Sequence, residues 1–73
     1  MKIVIFSGTT EGRRLSGERA EAGAEVTVCV ASDYGREEQG VLPGVQVRVR
    51  PLSPEEKREL LRGAALCVDA THP

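Results

Sequence analysis

Three short segments carry residue types and spacings suited to holding a nucleotide and acting beside it. The first is Ser7-Gly8-Thr9-Thr10-Glu11-Gly12-Arg13, which follows an apolar run and opens a polar stretch. Backbone N–H groups at a helix start, together with the hydroxyls of Thr9 and Thr10, suit a pyrophosphate held at the positive end of the helix. Gly8 lets the backbone come close to such a ligand, and Gly12 lets the helix pack tightly on the preceding strand. The spacing is not G-x-G-x-x-G, so the standard dinucleotide fingerprint is absent, and a tight turn with no ligand fits the same residues.

The second segment, Ala31-Ser32-Asp33-Tyr34-Gly35-Arg36, follows another apolar run. In a dinucleotide-binding domain this position meets the adenosine ribose. An acid there favours the 2′-hydroxyl of NAD, whereas a hydroxyl and an arginine favour the 2′-phosphate of NADP. Ser32 and Arg36 point to NADP, Asp33 points the other way, and an ordinary solvated loop is the plain alternative. The third segment is Asp69-Ala70-Thr71-His72-Pro73, which contains the only histidine of the chain. Thr71 and His72 are candidates for contact with a cofactor or substrate, against the alternative of an exposed histidine with no such role.

The elements that would position these segments are legible. Lys2 to Phe6 is a β-branched and aromatic run that suits a central strand covered on both faces. Thr10 can cap a helix to about Ala22, ended by Gly23, with Leu15, Arg19 and Ala22 along a thin stripe. Gly17 inside that helix costs about 1 kcal/mol relative to Ala, which a close helix-to-sheet contact would justify. Glu25 to Ala31 forms a second strand. Ser32 to Gly44 reads as a loop, with a short helical turn near Arg36 to Gln39. Val45 to Arg50 alternates strictly, as an edge strand does. Ser53-Pro54-Glu55-Glu56 has a capping residue, Pro at the first helical position and Glu three residues after the cap, so a helix runs to about Arg62 and stops at Gly63. Ala65 to Val68 is a fourth strand. Alternation of this kind predicts an α/β fold: a Rossmann-like half with a parallel four-stranded sheet in the order 3-2-1-4 and flanking helices.

Composition narrows the functional classes. The chain has 73 residues, is 40% hydrophobic and 29% charged, and carries a net charge of −1. One small domain is expected, with no electrostatic footprint for nucleic acid or an anionic membrane surface. No apolar run approaches the roughly 20 residues that span a bilayer, and the opening strand does not resemble a signal peptide, so a cytoplasmic location is expected. Cys29 and Cys67 have no metal-ligand or redox spacing and read as small buried hydrophobes. No metal site is expected.

Taken together, the three segments resemble the precorrin-6A reductase family. The likeness rests on Gly8-Thr9-Thr10-Glu11-Gly12-Arg13, on Val26-Thr27-Val28 with Ser32-Asp33-Tyr34-Gly35, and on Asp69-Ala70-Thr71-His72-Pro73, in the family's order and spacing. The resemblance implies hydride transfer from NADPH, or NADH in some members, to a ring double bond of precorrin-6A or its cobalt form, in the making of the corrin ring of cobalamin. It implies a tetrapyrrole substrate lying with the cofactor between two lobes. Carried over, Gly8, Thr9, Thr10 and Glu11 belong to the phosphate-binding turn, and Ser32 and Tyr34 to the cofactor pocket, to which the residue reading above adds Gly12 and Arg36 as cofactor-binding candidates. Thr71 and His72 face the cleft. Ser7 departs from the pattern, since the family usually has a second glycine there.

The family's chains are several times longer, so residues 1–73 are expected to be the N-terminal nucleotide-binding part, without the second lobe and without complete turnover. An open apolar edge at 65–68 then favours self-association, which sedimentation would detect. A non-catalytic nucleotide- or sugar-nucleotide-binding module of the same fold is the alternative function, although the Thr-His-Pro ending favours the reductase. A phosphate-accepting signalling domain needs an acidic cluster after the first strand, and Ser7-Gly8-Thr9 supplies none.

Overall fold

A computed structural model describes residues 1–7, 10–49 and 53–70. Its elements are β1 (Lys2–Ser7), α1 (Thr10–Glu21), β2 (Glu25–Val30), α2 (Asp33–Gln39), β3 (Val45–Val49), α3 (Pro54–Leu61) and β4 (Leu66–Ala70). All strand pairings are parallel, and the order is β3-β2-β1-β4, the one expected from the sequence. Ile3 pairs with Val26 on one side and with Leu66 on the other.

The period-2 geometry of the strands divides the core in two. Ile3, Ile5, Val26, Val28 and Val30 are buried on one face, with Leu15, Ala20, Val45, Val47, Val49 and Val68 packed around them. Val4 and Cys29 are buried on the other face with Leu60 of α3, supported by Phe6, Leu61 and Ala64. The alternation expected of β3 is present: Val45, Val47 and Val49 are half-buried, while Gln46 and Arg48 are exposed, at a sheet edge.

The helix ends follow local chemistry. Past α1 the N–H of Gly23 donates to Ala20 and that of Ala24 to Arg19, a Schellman closure that needs the φ of +96° at Gly23. Ser53 and Glu56 form the full capping box at α3, and the bond from the Ser53 backbone holds the Glu56 carboxyl below its usual range.

Several sequence expectations change. Thr10 is the first helical residue of α1 rather than its cap, and the residue before it lies outside the described residues. Of the stripe of Leu15, Arg19 and Ala22, Leu15 packs against the core while Arg19 and Ala22 are exposed, and the buried residues of α1 are Gly12 and Ser16. Small residues four apart stack on one side of a helix, and here Ser16 meets Gln39 of α2. The segment expected as a loop contains α2 from Asp33 onward. Its Gly35 disfavours helix by propensity, but a side chain there would press on Val30, at 3.2 Å from Cβ to Cβ, so tertiary packing selects the glycine. Cys29 is buried as expected, whereas Cys67 is exposed on β4.

Gly17 does not touch the sheet. A Cβ there would meet only Leu42 Cδ1, at an ordinary 3.6 Å. Gly17→Ala should therefore stabilise the chain by about 1 kcal/mol through helix propensity. The thermal midpoint is expected to rise by roughly 4–8 °C for a domain of this size. A fall in the midpoint would show that the methyl is not accommodated against Leu42.

Candidate functional site

The carboxyl ends of β1 and β4 are neighbours, with Ser7 and Ala70 as register partners. From β1 the chain builds outward through β2 to β3, then returns to the far side of β1 as β4. The direction of winding reverses between β1 and β4, and connections leaving the two strands diverge there. In parallel sheets that divergence opens the crevice in which ligands bind.

Ser7 is 3% exposed at the end of β1, and α1 begins three residues later at Thr10. Thr10 and Glu11 are exposed and Gly12 is buried. First-turn N–H groups of a helix have no intrahelical acceptor and point along its axis, here toward the carboxyl edge of the sheet. The pairing of Phe6 with Cys29 sets the end of β2 beside that of β1, so α2 starts on the same edge. Ser32 caps α2, its Oγ accepting the N–H of Gly35 at 3.2 Å. The hydroxyl proton is not used by that bond, and Ser32 is exposed. Tyr34 is 66% exposed, and hydrogen bonding to Glu38 one turn on, reinforced by its charge, raises the phenol above its ordinary range.

These positions bring Thr10, Glu11, Gly12, Ser32 and Tyr34 to one edge. Arg36 stands a turn further along α2, where it lines a groove with Gly40, Val41, Val45 and Val47 on the β3 side. Gly8, Thr9, Thr71 and His72 lie outside the described residues.

A polar set centred on two buried side chains joins α1 to α2, and no residue pattern announces it. The Gln39 side-chain amide donates to Ser16 Oγ at 2.9 Å, and the Ser16 hydroxyl donates to the Arg13 carbonyl at 2.7 Å. Arg13 Nε in turn donates to the Gln39 carbonyl at 3.0 Å. Ser16 is 0% exposed and Gln39 3%. A serine inside a polar helix and a glutamine in an apparent loop carry no periodic signal of burial. On the opposite face of the sheet, the Lys57 ammonium lies 5.7 Å from the centre of the Phe6 ring, beside the end of β1.

Among the described residues, no helix is long and apolar enough to cross a membrane. The family model described as precorrin-6x reductase CbiJ/CobK matches residues 2–73. No curated protein and no solved structure gives a significant match.

Proposed function

The chain belongs to the precorrin-6x reductase family, and on that premise we propose that residues 1–73 form its nucleotide-binding domain, with NADPH as the cofactor and NADH as a weaker substitute. The family is one of reductases that act on a precorrin tetrapyrrole in cobalamin biosynthesis. The observation that carries the cofactor assignment is the pairing of Ser7 with Ala70 at the reversal of strand order, with α1 beginning just beyond. That edge offers the positive end of α1 and the Ser32 hydroxyl at the start of α2 to an anion. Such a donor set fits a pyrophosphate at one point and a ribose 2′-phosphate at the other.

When bound, the nicotinamide supplies a hydride to a ring double bond of precorrin-6A or its cobalt form. The chain's own groups bind and orient. Gly8, Thr9, Thr10, Glu11 and Gly12 hold the pyrophosphate, and Ser32, Tyr34 and Arg36 hold the adenosine end. Thr71 and His72, which follow β4, are assigned to the reacting side of the crevice.

Backbone amide shifts of the labelled chain, followed during titration with NADPH and then NADH, test this proposal. Shifts confined to residues 8–13, 32–36 and 71–72, larger for NADPH, are expected. No shift with either nucleotide at millimolar concentration would overturn the cofactor assignment.

A further inference from the structure

We propose that Arg13 is not a phosphate ligand but a positioning residue, which with Ser16 and Gln39 fixes the span between the two ends of the cofactor site. This inference rests on the cofactor assignment above. Arg13 sits in the phosphate-turn segment, and its charge invites assignment to the pyrophosphate. The structure gives its Nε another task, since it donates to the Gln39 carbonyl at the last residue of α2. Gly40 follows with φ +67°, and a Cβ there would lie 3.8 Å from two guanidinium nitrogens. The left-handed turn thus leads the chain closely past the arginine.

The other half of the clamp is the buried bond from Gln39 to Ser16, closed by the bond from Ser16 to the Arg13 carbonyl. α1 and α2 meet through these contacts, and each helix starts at one end of the proposed site. Hydrogen bonds of fixed geometry, one of them buried, favour one mutual arrangement of two helices, where apolar contacts alone would tolerate several. NADPH spans only a limited range of distances between its pyrophosphate and its 2′-phosphate, so it reads that arrangement. Each fragment alone does not.

The test compares the unsubstituted chain with Arg13→Met and Gln39→Met, using three probes: NADPH, inorganic pyrophosphate and adenosine 2′-monophosphate. Both variants are expected to bind NADPH about tenfold more weakly, while each small probe keeps its affinity within about twofold. Arg13→Lys, which retains a donor for the Gln39 carbonyl, should recover most of the loss. Pyrophosphate weakened in step with NADPH in Arg13→Met would make Arg13 a phosphate ligand and overturn the proposal, as would unchanged NADPH affinity. A ligand-free measurement separates this from failure of the cofactor assignment. In Gln39→Met without nucleotide, amide resonances of residues 32–36 should move while those of β1 stay in place. If residues 32–36 do not move, the clamp does not position α2, whatever the chain binds.

Discussion

Ile5→Ala is expected to remove about 2–5 kcal/mol of folding stability, the largest loss from any single truncation considered for this chain. Ile5 is 0% exposed in β1, which is hydrogen-bonded on both sides, and it packs with Ile3, Val26, Val28 and Val30. Its register partners are Val28 and Val68, so the lost atoms leave a hole shared by three strands. Strands fixed on two sides cannot collapse to fill it, which places the cost toward the upper end. At roughly 0.05–0.15 kcal/mol per residue, the whole domain holds only about 4–11 kcal/mol. The variant should therefore lose its cooperative thermal transition or melt some 10–30 °C lower. Val45→Ala in the half-buried edge strand makes the comparison, with a fall of only a few degrees. If circular dichroism showed the Ile5 variant melting with the Val45 variant, the central position of β1 in the core would be wrong.

Ser32→Asp should exchange the nucleotide preference without harming the fold. Asp serves as well as Ser at a helix N-cap, so the bond to the Gly35 N–H survives and the thermal midpoint should stay within a few degrees. The added carboxylate would face the ribose 2′ position. Like charges brought together at a binding site cost several kcal/mol, enough to weaken NADPH by roughly a hundredfold. NADH, with a 2′-hydroxyl that a carboxylate can accept, should bind as before or more tightly. Equal losses for both nucleotides would show Ser32 acting only through the backbone. No change for either would place the 2′-phosphate elsewhere.

Much of the architecture could be read from the chain because its strong signals are local. The capping box at Ser53 and Glu56, the glycine closing α1 and the alternation in β3 each arise from neighbours in sequence. The apolar continuity of β1 and β2 announces strands buried on both faces, and the order of elements does the rest. What stayed hidden depends on partners far along the chain. α2 was obscured by Gly35, whose value lies in the close passage of Val30 rather than in any helical preference. The inward side of α1 was misjudged because Gly12 and Ser16 are buried for their size, and hydropathy registers size poorly. Cys67 matched a buried apolar run, yet it lies on the exposed side of β4. The site segments were identified by their place after strands, and the ends of β1, β2 and β4 do share one edge. The set of Arg13, Ser16 and Gln39 spans 26 positions, and its two halves show nothing in isolation.

The bracketing of β1 also sets the order in which this domain can assemble. Ile3 finds one neighbour at Val26 and the other at Leu66, so the pairing of β1 is completed only by a strand some sixty residues further along the chain. Pairings of such separation are slow to form, because loop entropy is lost before any contact compensates for it. α2 and α3, with 7 and 8 residues, are too short to persist alone and cannot serve as early scaffolds. Folding should thus be limited by the docking of β4, and the crevice beside Ser7 comes into being in that same final step.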